Sequence, residues 1–383
     1  ILAEKLVEQE HFHFAVYYVA ILFLAAYTGL IYLYKKRRRE LAAFLALALV
    51  AVEAAVNTTV TSVTTTSREA YTRDNKEVQA LMEKLEPAED FYRVEKKTRK
   101  TKNDGAWMNF PSVSLFSSTA NADLTKFFKR MGCEASTNAY SITGSTPLVD
   151  SLLSVRYALY SEYIPNTDLV NYIQESGGTY LYENLYTLPL GFVLPYDLAD
   201  NWQYQMENPA EVQNDLCLLL GTDDVLVPVE TEVSGSGCTF TADMAGEYYV
   251  YIQNKKVKNV KASLPSGEKN FSNVDRGYLL EMGNLSEGSR ITLTPGESGE
   301  TLTAAVYRFS PRAMIQVYDR LSQSPLHLDS WRDTKLTGTV TAAESGTLFL
   351  SIPYDEGWTI TIDGQPAEGE KILEAFLSVP VEA

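Results

Sequence analysis

Two apolar runs open the chain, divided by a basic pentad. Phe14 to Tyr34 carries no charged residue, Lys35 to Arg39 reads KKRRR, and Leu41 to Val63 carries one charge, Glu53. Roughly 20 apolar residues make about 30 Å of helix, the thickness of a bilayer's hydrocarbon core. The pattern predicts a transmembrane hairpin over 1–67 with a basic loop at 35–40. Tyr17, Tyr18, Tyr32 and Tyr34 lie near the ends of the first span, where an aromatic belt belongs. Lys and Arg are retained in cytoplasmic loops, so this loop is expected inside and everything after about residue 65 extracytoplasmic. Leu2, Leu6 and Val7 predict a short amphipathic turn before the first span. The start lacks the basic n-region of a cleavable signal and reads as the middle of a larger multi-pass protein.

Beyond the hairpin the periodicity alternates. Val78, Leu81, Met82 and Leu85 form one helical stripe over 68–85, with Pro87 as its stop. Phe91 to Val94 reads as a strand, and Lys96 to Gly105 (KKTRKTKNDG) as a basic loop. Asn121 is placed to cap a helix running to Met131 with Leu124, Phe127 and Phe128 inward. Thr146-Pro147 opens another helix, and Val155 to Tyr160 reads as a buried strand. Asp168 to Glu175 reads as a short helix ended by Gly177-Gly178, Tyr180 to Leu194 as strand, and Pro209 to Leu220 as helix. This mixture predicts an α+β domain over 68–224.

Near Val225 the pattern changes to short alternating strands, at 248–252, 278–282, 291–293 and 302–309, with turns such as Pro265-Ser266-Gly267. That spacing predicts a β-sandwich or jelly-roll-like domain over 225–383, with a helical insert at 311–323. More strands follow from Leu336 to Gln365, with a hairpin turn at Asp363-Gly364. The closing LSVPVEA is read without a final strand, as a truncated sheet.

Charge adds a constraint. The net charge is −16 over 383 residues, and almost none of it comes from the hairpin. An acidic surface argues against nucleic acid as a partner. Three cysteines, Cys133, Cys217 and Cys238, have no metal-type spacing and read as buried reduced thiols; one disulfide stays open as an alternative.

Candidate chemistry is sparse. Glu53 and Asn57 share a helix face inside the second span, and an ionisable group at that depth marks either a substrate or proton path or a contact to further helices. The loop at 96–105 could meet anionic lipid or phosphate groups, or be a solvated surface. Tyr157, Tyr160, Tyr163, Tyr172, Tyr180, Tyr182 and Tyr186 could stack on sugar rings or pack a core. His11, His13 and His327 show no zinc spacing, and His327 near Asp329 does not make a triad. No metal site and no phosphate loop is predicted.

Several ordered motifs carry a resemblance. DNKEVQALMEKLEPAEDFYRVE (Asp74 to Glu95), NDGAWMNFPSVSLFSS (Asn103 to Ser118), TPLVDSLLSVRYALY (Thr146 to Tyr160), LPLGFVL (Leu188 to Leu194), YDEGWTITIDG (Tyr354 to Gly364) and the intramembrane Glu53-x-x-x-Asn57 resemble the bacterial YfhO membrane-protein family over nearly the whole chain. The resemblance implies a polytopic protein akin to GT-C glycosyltransferases, taking sugar from a polyprenyl-phosphate donor for lipoteichoic acid or another envelope glycopolymer. It also implies partner transmembrane helices N-terminal to this segment and a catalytic acid in an early outer loop outside it. Arg93, Asn103, Asp104, Ser117 and Ser118 fall within the matching motifs, as acceptor-binding or structural residues. A membrane-tethered carbohydrate-binding or scaffold module without catalysis is the alternative; Glu53 alone supports a transporter or flippase partner.

Overall fold

The computed structural model describes residues 14–59, 68–85, 91–332 and 334–383. The predicted turn at 2–7, the end of the second apolar run and the Pro87 stop lie outside them. The chain divides into two compact units, residues 1–73 and 74–383.

In the first unit, Phe14–Lys35 and Arg39–Thr58 form two helices joined by a three-residue turn. Both are long and apolar enough to cross a membrane. Arg37 takes a left-handed conformation (φ 61°) to reverse the chain. The Lys36 ammonium lies 4.8 Å from the Tyr32 ring centre and the Arg39 guanidinium 5.4 Å from that of Tyr34, so the end-of-span tyrosines carry the loop's cations. A short helix follows at Arg68–Thr72.

The second unit is mostly β, with several sheets. The helix Asn75–Met82 starts at Asp74, whose φ of 65° breaks the predicted helix over 68–85 in two. Its stripe of Val78, Leu81 and Met82 is buried against Val94, Leu159 and Leu181. Those residues belong to a four-stranded sheet ordered Arg93–Lys96, Val155–Tyr160, Thr179–Asn184, Val170–Ser176, its first pair parallel. Predicted helices recur at Ala122–Arg130, Pro147–Leu152, Pro209–Leu219 and Pro311–Leu321. Asn121, Thr146, Asn208 and Ser310 cap them by accepting from backbone N–H groups.

Two expectations are overturned. The stretch read as a helix at 168–175 is the strand Val170–Ser176, whose burial alternates residue by residue. Ser176 pairs with Thr179, so Gly177-Gly178 is a two-residue hairpin turn with both φ values positive (54° and 83°), not a helix stop. The chain's end is also a strand. Phe376–Val381 lies between Glu370–Ile372 and Gly346–Pro353 in a four-stranded sheet completed by Gly191–Pro195. Leu377, Val379 and Val381 alternate into one core and Phe376 into another. Pro380, unusual within a sheet, hides this pattern in the sequence.

After residue 225, a five-stranded sheet (Thr231–Ser234, Gly237–Thr241, Arg290–Pro295, Asn259–Leu264, Gly267–Ser272) and a four-stranded sheet (Leu280–Leu285, Gly246–Ile252, Ala304–Phe309, Leu226–Val229) enclose one core. In Gly246–Ile252, Tyr248, Val250 and Ile252 enter that core while Tyr249 and Tyr251 enter the largest core, which extends from Leu124 to Phe376. This strand is covered on both faces, which is why YYVYI reads as continuous apolar sequence.

Candidate functional site

The basic stretch after Arg93–Lys96 is not a loose surface loop. Asp104, itself buried, accepts from the backbone N–H groups of Lys100 and Thr101 (both 2.8 Å) and from Thr101 Oγ1 (2.9 Å), closing the segment on itself. Asn103 brackets the backbone of Phe116, accepting from its N–H at 2.7 Å and donating to its carbonyl at 2.9 Å. Glu95 accepts from Ser112 Oγ, the N–H groups of Val113 and Ser114, and Ser114 Oγ, all at 2.7–2.9 Å. Together these bonds lock the basic segment to the Ser-rich stretch beside it.

So held, the basic segment forms one wall of a cleft of about 330 Å³. Lys97, Arg99, Ile142 and Thr143 line one side; Lys269, Asn270, Phe271, Tyr278 and Glu281 line the other. The walls meet at Gly144, whose N–H donates to Glu281 Oε1 at 2.6 Å. Its φ is +83°, and a Cβ there would lie 2.5 Å from the Gly132 carbonyl oxygen and 2.6 Å from that of Leu279, so only glycine fits.

Carboxylates behind the first wall fix its cations. Lys97 Nζ lies 3.2 Å from Asp150 Oδ2. Burial disfavours this ammonium, but Asp150, Glu281 and Tyr160 outweigh it and its pKa is raised. Arg99 Nη2 donates to Thr143 Oγ1 at 2.5 Å and lies 3.8 Å from Glu134. Glu134 also pairs with Lys102 at 2.9 Å. Burial raises the Glu134 pKa, but Lys102, Ser141 and Arg99 prevail and it is lowered. On the other wall, burial pushes Tyr278 up to about 12 and its hydroxyl donates to the Ser272 carbonyl. Lys269 Nζ donates to the carbonyls of Met282 (3.0 Å) and Glu281 (3.5 Å). Such a set, cations beside aromatic rings, an amide and a carboxylate, suits a polar, polyhydroxylated anion.

The residues singled out from the sequence take other places. In the first unit Tyr27 Oη donates to Glu53 Oε2 at 2.5 Å, joining the two helices, and Asn57 lies one turn beyond Glu53. Arg93 is buried and donates to the Leu153 carbonyl, to Ser351 Oγ and to the Ser351 carbonyl (2.6–2.9 Å). It thereby ties the first sheet to the sheet containing the C-terminal strand, and burial lowers its pKa to about 10. Ser117 Oγ lies 3.0 Å from Thr119 Oγ1, and Ser118 is exposed in the following turn. Asn103 and Asp104 shape the cleft's basic wall from behind without lining it. The tyrosine cluster packs edge to face, Tyr172 on Tyr182 and Tyr160 on Tyr182, with Tyr163 exposed at its rim. Among the described residues no group of His, Cys, Asp and Glu could hold a metal.

Sequence reasoning reached Lys97 and Arg99 but missed Lys269, Phe271, Tyr278 and Glu281. Gly267–Ser272 is a largely exposed edge strand and carries no recognisable motif.

Residues 4–228 and 229–383 match the family model described as bacterial membrane protein YfhO. No curated protein and no solved structure matches the chain. The family match covers nearly every element described above, from the apolar hairpin to the C-terminal strand, and the chain belongs to the YfhO family of bacterial membrane proteins.

Proposed function

We propose that this chain serves in glycosylation of lipoteichoic acid or a related envelope polymer, with a polyprenyl-phosphate sugar as donor. In this reading the hairpin spans the membrane with its basic loop inside. Residues 74–383 then face outward and hold the acceptor, and the two sheets over 226–309 form a β-sandwich. The transfer chemistry resides in further transmembrane helices, and no catalytic role is assigned to a residue here. The observation that carries the reading is the cleft, in which Phe271, Asn270 and Glu281 offer apolar surface and hydrogen-bonding groups suited to a polyol, opposite Lys97 and Arg99. The test is sugar incorporation into the envelope polymer in cells lacking the full-length gene. The reading expects incorporation to fall and to be restored by the wild-type gene, but less well by a variant carrying Asn270→Ala and Phe271→Ala. Unchanged incorporation in the deletion strain refutes it. If the purified protein nonetheless binds glycan, the carbohydrate-binding or scaffold role replaces it.

A further inference from the structure

We propose that the cleft is a phosphodiester site, with Lys269 as the cation that meets the phosphate. This deepens the acceptor-binding reading and rests on it. The two walls hold their cations differently. Lys97 and Arg99 are neutralised from behind by Asp150 and Glu134, and Glu134 is shared with Lys102. These pairs fix the side chains without exhausting them. Arg99 commits only Nη2, so Nε and Nη1 have no partner among the described residues. Lys269 is different. Its ammonium rests on two carbonyl oxygens, and no carboxylate lies within ion-pair distance among the described residues.

Around the cleft, Lys97, Arg99 and Lys102 each have a carboxylate within ion-pair distance, and Lys269 has none among the described residues. That leaves Lys269 as the cation no carboxylate neutralises by contact, in a chain whose net charge is −16. A cation without a carboxylate partner draws an anion to itself against the background field. A single such cation matches a phosphodiester, which carries a single charge at neutral pH, better than a monoester with nearly two. The second cue is shape. About 330 Å³ holds a phosphate with one polyol or sugar beside it, and Phe271 and Asn270 line the cleft close to Lys269 in sequence and space to receive that neighbour. The same chemistry occurs in a polymer backbone and in a lipid headgroup.

The full chain in phosphatidylcholine nanodiscs is titrated by calorimetry with glycerophosphoglycerol, and separately with maltotriose and with glucuronate. The diester is expected to bind, to weaken with salt, and to lose about tenfold in affinity in Lys269→Gln, the worth of one charge-assisted contact. Lys269→Arg is expected to restore it, and Lys269→Gln is expected to lose more affinity for the diester than for maltotriose. Nanodiscs containing phosphatidylglycerol separate the sources: competition with the diester assigns the headgroup, and its absence assigns the polymer. If maltotriose binds but the diester does not, or if glucuronate binds as tightly as the diester, the phosphodiester inference is overturned while acceptor binding stands. If neither the diester nor maltotriose binds, both readings fall.

Discussion

Glu95→Ala is the sharpest single test of how the basic wall is built. The carboxylate is 1% exposed and accepts from two backbone N–H groups and two serine hydroxyls. Alanine leaves the Val113 amide with no acceptor and the Ser114 amide with only Ser112 Oγ, at 3.1 Å. An orphaned donor costs about 1–3 kcal/mol and the lost bond at Ser114 about 1 kcal/mol, while the hydroxyls can rotate to other partners, so the loss is roughly 3 kcal/mol. For a unit of this size that lowers the melting temperature by about 6 °C. Glu95→Gln behaves differently. Its carbonyl can keep the three bonds made at Oε1, and its amide can donate to Ser114 Oγ, so the expected loss is about 1 kcal/mol. The pH dependence separates the two effects further. Burial raises the Glu95 pKa above 4.5, against the opposing pull of the Ser112, Ser114 and Val113 bonds. The folded state therefore holds the proton more tightly than the unfolded state. Stability falls as pH rises from the unfolded value through the folded one, and the wild-type advantage over Glu95→Gln shrinks across that window. Thermal melts of the full chain in detergent, followed by tryptophan fluorescence across that window, read all three proteins. An alanine variant melting within about 2 °C of wild type, or a glutamine variant falling as far as alanine, refutes the reasoning.

Three further outcomes are expected. The Glu134 pKa is lowered, so its clamp on Lys102 and Arg99 is complete above 4.5 and is lost as pH falls through its folded value; amide exchange at 97–102 should rise there, and Glu134→Gln should abolish that pH dependence. Cys133, Cys217 and Cys238 are buried and unpaired, and burial raises all three thiol pKa values, Cys217 to about 11; maleimide counting should find no reactive thiol in the native protein at neutral pH and all three after denaturation. Gly144→Ala should cost more than about 2 kcal/mol and weaken ligand binding in the cleft, because its Cβ meets two carbonyl oxygens that cannot retreat and its N–H anchors Glu281; melting and binding that both match wild type would refute this.

Local signals were legible wherever a residue's neighbours in sequence are also its neighbours in space. Asn121 and Thr146 cap helices through bonds to residues two or three positions on, so their role is visible without a fold. Legibility failed where one local pattern serves two structures. A Gly-Gly pair ends a helix or turns a hairpin, and only the partner strand Thr179–Asn184 decides that Val170–Ser176 is extended. The same holds for Phe376–Val381, whose alternation is interrupted by Pro380 and acquires meaning from Gly346–Pro353 beside it.

The amino-acid sequence by itself determined the apolar hairpin, the family, most helices and the acidity of the chain, because each depends on composition or on spacings of a few residues. It also marked Lys97 and Arg99 as an unusual concentration of charge. Tertiary structure alone decided what that charge faces. Glu134, Asp150 and Glu281 come from segments up to 184 positions beyond Lys97, and Lys269 lies on an edge strand that only sheet pairing brings opposite. Charges interact through distance in space, which chain order does not encode, so a stretch that reads as a solvated basic loop became one wall of a cleft.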